Sequence, residues 1–243
     1  MNILSYRKRS IWYLPFPNTF LFLYMLLFLG IVFSVFKIIL SSILGLPFWF
    51  IELIIFLSII GSGVNIPVYS VKRYVPVVKE AVVTFMGIPL IIPKIDVEEE
   101  KTIIAVNLGG CIIPVLLSTY MIFIVVKMFG ISILWRLFIA IIFNSLLINM
   151  IAKPVKGVGI ATPAFLPPLF TAIVTLIFAP IEYGKILLFA FAYSVGTLGA
   201  LIGADIMNLR EIPKLGAPIA SIGGAGTIDG VFLTGLLSVL FLL

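Results

Sequence analysis

A chain of 243 residues with 62% hydrophobic and 11% charged side chains has too little polar surface to cover a soluble core, since globular domains carry about 45–50% apolar and about 25% charged residues. Its mean hydropathy of +1.29 indicates an integral membrane protein, and its net charge of +6 then reads as contact with anionic membrane lipids rather than with nucleic acid. The lack of histidine removes imidazole from metal binding and catalysis, and the single cysteine, Cys111, excludes an intrachain disulfide.

Apolar runs near the length of about 20 residues that a helix needs to cross hydrocarbon predict spans over 18–40, 48–64, 103–126, 131–152, 161–179 and 186–207, with a last one ending at Leu243. The runs are continuously apolar rather than alternating, which excludes a transmembrane barrel. The expected fold is all-α: a polytopic bundle of about seven transmembrane helices with a small cytoplasmic β-hairpin-like insertion. Arg7, Lys8 and Arg9 precede the first run, which is too long for a signal peptide and lacks a small-residue cleavage pattern, so it reads as an uncleaved span. With the N-terminus cytoplasmic, twelve of the sixteen Lys and Arg residues fall on that side, the asymmetry expected in a cell membrane.

The insertion is the polar segment 65–102, where VPVVKEAVVTFMGIPLIIPKI mixes β-branched residues, prolines and a Met-Gly turn. It divides the chain into two N-terminal helices (1–64), the strand-rich segment itself (65–102) and a five-helix bundle with broken helices (103–243). Asp96, Glu98, Glu99 and Glu100 close it. Consecutive carboxylates point different ways and rarely converge on one ion, so the run reads as a solvated turn, and no metal or cofactor is expected.

Glycine- and proline-rich segments then open three spans: VNLGGCIIP (106–114), GIATPAFLPP (159–168) and GGAGTIDG (223–230). Broken backbone at membrane depth survives where protein or trapped water satisfies it, and ion-coupled transporters build sites from such helices; close packing through small residues is the alternative. Asn107-Leu-Gly-Gly and Ser221-Ile-Gly-Gly form a faint internal echo. In the sixth span, Ala192, Gly196, Gly199 and Gly203 line one face, while Ser194, Asp205 and Asn208 fall on the other. Asn208 is placed to hydrogen-bond on the Asp205 side. The last helix is expected to start near Thr227 as N-cap, with Asp229 in its first turn, where the helix dipole favours a carboxylate. Asp205 and Asp229 then reach similar depth on neighbouring helices, and an intramembrane carboxylate is a functional candidate by default.

The segments IAVNLGGCIIPVL, GIATPAFLPPL, GALIGADIMNL and SIGGAGTIDGVFLTGLL together resemble those of a prokaryotic family of uncharacterised multi-pass membrane proteins, a domain of unknown function, over about residues 65–243. The resemblance implies a multi-helix membrane fold and supplies no activity; it puts Asn107, Asp205, Asn208 and Asp229 in the family's distinctive segments. Three functions follow from the residues. In a transporter or channel for a small ion or solute, Asp205 and Asp229 carry protons or a cation. Asn107, Asn208 and Thr227 add neutral groups there, and Gly223, Gly224 and Gly226 expose backbone. In an intramembrane aspartic protease, Asp205 and Asp229 are the catalytic pair sharing one proton. In a membrane scaffold or assembly factor, the cytoplasmic hairpin binds a partner. No phosphate-binding loop of the G-x-x-x-x-G-K-[ST] type is present, which argues against ATP-driven pumping.

Overall fold

The structure, a computed structural model, describes residues 16–85, 88–155, 159–224 and 230–243. Helices α1 (Phe16–Leu44) and α2 (Phe48–Gly61) lead into two long strands, β1 (Asn65–Phe85) and β2 (Ile88–Asn107). A π-helical turn (Leu108–Ile112) opens α3 (Ile113–Phe129), which is followed by α4 (Ile133–Ile151) and a small antiparallel pair, β3 (Lys153–Val155) and β4 (Gly159–Ala161). Next come α5 (Leu166–Phe178), α6 (Lys185–Ala200) with a second π turn (Leu201–Ile206), β5 (Ile219–Ile222) and α7 (Gly230–Leu240).

Helix α6 is the axis of the bundle, with α3, α4, α5 and α7 packed around it. Phe191, Tyr193 and Val195 on it are fully buried. The small-residue face predicted on this helix packs closely. A Cβ on Gly196 would stand 3.1 Å from Gly235 Cα of α7, and one on Gly199 would stand 2.5 Å from Asn144 Nδ2 of α4. The opposite, sparsely polar face is packed as well. Ser194 is buried and donates to the Ala190 carbonyl at 2.8 Å, the usual outlet for a serine inside a helix.

An all-α bundle of seven spans is not what forms. Among the described residues, three helices are long and apolar enough to cross a membrane: Leu108–Phe129, Ile133–Ile151 and Lys185–Ile206. Helices α2, α5 and α7 have 14, 13 and 11 residues, and the apolar stretch Gly30–Ile43 of α1 is likewise short. The differences lie at the ends. Residues 62–64 leave the helix for β1. Residues 161–165 are taken by β4 and by the turn before Pro167 and Pro168. Residues 103–107, apolar enough to pass for helix, belong to β2.

Nor is the insertion small. β1 and β2 pair antiparallel from Asn65↔Asn107 to Phe85↔Ile88, with one irregularity between Pro67 and Tyr69. Twenty residues at about 3.3 Å each make a ribbon roughly 65 Å long. β5 adds parallel to the base of β2, Ile103↔Ile219 through Val106↔Ile222, completing a three-stranded mixed sheet in the order β1-β2-β5.

Ribbon and bundle meet at Gly109. Its carbonyl accepts from Ser58 Oγ at 2.5 Å, and a Cβ there would overlap the Ser58 carbonyl oxygen and the Ser62 amide nitrogen of α2. Both obstacles are backbone, so neither can rotate away. Gly109→Ala is expected to lower stability by about 1–3 kcal/mol, measured as the thermal midpoint in detergent. Gly30→Ala, with no atom within 4 Å of the added carbon, should leave the midpoint unchanged or raise it slightly.

Candidate functional site

The second π turn carries the one carboxylate of interest among the described residues. One extra residue in the turn frees carbonyls that a regular helix would pair, and such turns recur at functional sites. Asn149 Nδ2 donates to the Gly203 carbonyl at 3.0 Å, and Asn208 Nδ2 donates to the carbonyls of Gly203 and Ala204 at 3.2 and 2.9 Å. Asn208 thus closes the broken end of the helix and leaves the Asp205 carboxylate to another partner. That partner is the Gly223 N–H, which donates to Asp205 Oδ2 at 2.7 Å.

Gly223 is glycine for two reasons. Its φ of +81° lies in the left-handed region, and a Cβ would sit 2.5 Å from Cys111 Cβ in the first π turn. The chain therefore turns sharply off β5 and presses against Leu108–Ile112 while aiming an amide at Asp205. Gly224, also at positive φ (+102°), continues the turn.

A cavity of about 390 Å³ opens beside Asp205. Its walls come from the second π turn, β4, β5 and the first residues of α5 and α7. Thr162, Ser221 and Thr234 supply hydroxyls, and Ile148, Ala200, Ile222 and Val231 supply apolar surface. Asp205 is the one ionisable side chain among these described lining residues. A carboxylate with one amide donor keeps lone pairs for a further donor or a cation.

The remaining predicted residues divide. Gly224 lines the cavity. Asn107 is buried elsewhere, as the cap of the first π turn. Its Oδ1 accepts from the Gly110 N–H at 2.8 Å, and its Nδ2 donates to the Ser62 carbonyl at 2.7 Å and to Asn65 Oδ1 at 3.0 Å. Gly226, Thr227 and Asp229 lie outside the described residues, and with them the second carboxylate of both the transport and the protease readings. Asp96 and Glu98 to Glu100 are held by cross-strand pairs. Lys72 meets Glu99 at 2.8 Å, Lys79 meets Glu98 at 2.9 Å and Asp96 at 3.3 Å, and Arg73 bonds Glu100. The Val97 amide, then Lys79, holds the Asp96 carboxyl below its ordinary value. No group of three metal-ligating side chains occurs among the described residues.

Two interactions went unread. Lys37 and Glu52 pair at 2.5 Å between α1 and α2. Ser221 Oγ and Asn107 Nδ2 both donate to Asn65 Oδ1, at 2.5 and 3.0 Å. The echo of Asn107-Leu-Gly-Gly in Ser221-Ile-Gly-Gly was the available signal, since its two first residues meet on one acceptor.

These features describe a helical protein of membrane type, with a long β-ribbon and a carboxylate cavity at a broken helix. The chain belongs to the family described as "Protein of unknown function (DUF1614)", whose profile matches residues 59–241. Neither a curated protein nor a solved structure matches it.

The hydrogen bonds of Asn107 fix its cost. Asn107→Ala removes the acceptor of the buried Gly110 N–H together with two donors, so a loss of about 1–3 kcal/mol is expected, read from thermal unfolding in detergent.

Proposed function

We propose that the protein is a membrane transport protein that takes up a proton, a small cation or a small cationic solute at Asp205. The observation that carries this reading is a carboxylate, the one ionisable side chain among the described lining residues, beside a cavity of about 390 Å³ where two interrupted backbone segments, Leu201–Ile206 and the turn after Ile222, meet. Broken helices with exposed backbone groups near a carboxylate are the construction that secondary transporters use for coupling ions. The apolar walls support it as well, since a charge bound there meets Asp205 in a medium that weakens it less than water does.

The N-terminus stays cytoplasmic in this reading, and the cell membrane stays the location, both resting on the bias of the basic residues. Asp229, six positions beyond Gly223, remains the second carboxylate of the proposal. The protease reading needs the same second carboxylate, Asp229, which lies outside the described residues. An assembly role draws support from the exposed ribbon.

The purified chain reconstituted in vesicles tests the transport reading. A proton- or sodium-dependent flux, followed with an internal indicator dye, is expected to fall at least tenfold in Asp205→Asn and in Asp229→Asn. It should persist in Glu182→Gln, whose exposed carboxylate lies outside the cavity. Wild-type flux in Asp205→Asn would remove the proposal.

A further inference from the structure

The ribbon of β1 and β2 has two unlike faces. Directly opposed residues of an antiparallel pair share a face. The register therefore puts Arg73, Val75, Val77 and Lys79 with Glu100, Glu98, Asp96 and Lys94 on one side. That face is closed by its own ion pairs. The other side carries Tyr74, Val78 and Val82 from β1 and Val97, Ile95 and Ile91 from β2. These six side chains are 59–73% exposed. Glu80, opposite Pro93, and Glu99, opposite Tyr74, are the charges along the strip, and Lys72 and Lys101 close the end nearest the helices.

Such a surface is not stable bare. A lone two-stranded hairpin is marginal in water, and a contiguous apolar strip of this size marks an interaction site. The edges do not offer the route. The Ile103 N–H points away from β1, to the Pro218 carbonyl at 2.9 Å. Alternation along the strand turns Val97, Ile95, Pro93 and Ile91 the same way, and turns their opposites on β1, Pro76 among them, outward on the other edge. Proline has no N–H to give, so Pro76 and Pro93 interrupt both outward ladders, a common guard against strand addition. The face stays open where the edges are blocked.

The occupant follows from charge and area. Lys72 and Lys101 balance Glu80 and Glu99 on this face, so it lacks the basic excess that draws a surface to anionic lipid. A second copy presents the identical strip. At these exposures the six residues leave roughly 700 Å² open per copy, so two apposed strips would bury at most about 1,400 Å², inside the range of about 1,200–2,000 Å² of stable interfaces. Twofold symmetry makes one patch meet itself, with the two sheets about 10 Å apart. We propose that this strip is a self-association surface on which the ribbon of one copy packs, face to face, against the ribbon of a second.

The full chain in mild detergent tests this by native mass spectrometry and by cross-linking. Wild type is expected at the mass of two chains. Val78→Lys with Ile95→Lys should weaken association at least tenfold and give single chains with an unchanged helical circular-dichroism signal. Val75→Lys with Val77→Lys, on the ionic face, should stay paired. In a Cys111→Ala background, Val78→Cys is expected to form a disulfide between copies under mild oxidation, and Val77→Cys is not. Single chains for wild type, or pairs that survive lysines at 78 and 95, would overturn the proposal. So would quenching of a fluorophore at position 78 by brominated lipid in vesicles, which assigns the strip to the membrane surface instead.

Discussion

Asn65 Oδ1 accepts from Asn107 Nδ2 and from Ser221 Oγ, so one side chain ties the start of β1, the end of β2 and the end of β5 at a single point. Asn107 also holds the last turn of α2 through the Ser62 carbonyl and starts the first π turn through the Gly110 N–H. The Gly223 side of the candidate site is tied to this junction. It sets where Leu108–Ile112 begins; Gly223 packs against that turn, and the Gly223 amide fixes the Asp205 carboxylate. Losing one hydrogen bond here leaves a buried donor or acceptor unmet, which costs more than a typical bond contributes.

Backbone accounting explains the amides on neighbouring elements. A helix end in an apolar surrounding leaves carbonyls that water cannot reach. Asn149 on α4 and Asn208 beyond the π turn supply donors to the Gly203 and Ala204 carbonyls, so the helix can stop and turn without stranding them. Asp205 is thereby released from helix duty. Its lone pairs face an amide and a cavity rather than its own backbone.

How much of this could be read from the sequence depends on which forces were local. The membrane character, the helical runs at 131–152 and 186–207 and the glycine face of α6 are set by composition and by the 3.6-residue period, and the helices at Ile133–Ile151 and Lys185–Ile206 follow them closely. Ile103–Asn107 was misassigned because a short apolar run suits strand and helix alike. What decides it is pairing with Asn65–Ser70 and Ile219–Ile222, partners remote in the chain. The ribbon's length was hidden by its prolines, which read as breaks but sit with their nitrogens turned outward, where no ladder bond is lost. Asp205 is conspicuous as a carboxylate in an apolar run, and it lines the cavity. Its partner Gly223 was singled out for an exposed backbone, and that backbone is what bonds it. Asn107, expected to offer a neutral ligand group, uses its side chain to cap the first π turn, a demand that no local pattern signals.

The ribbon and the cavity are not independent parts. Residues Ile219, Ala220, Ser221 and Ile222 form the strand that pairs with the base of β2, and the same four line the cavity beside Asp205. Thr102 Oγ1 donates to the Ala217 carbonyl at 3.0 Å, so the approach to β5 is pinned to β2 as well. β5 is held along one edge by its ladder to β2, so its path follows that strand. Ser221 and Ile222 thus take their positions from β2, and the Gly223 amide takes its position from them as the next residue in the chain. That amide donates to the Asp205 carboxylate, so the base of the ribbon is joined to the charge through β5, one covalent step and one hydrogen bond. A partner held on the ribbon's apolar strip would then bear on the site through β2 and β5, without touching any residue that lines it.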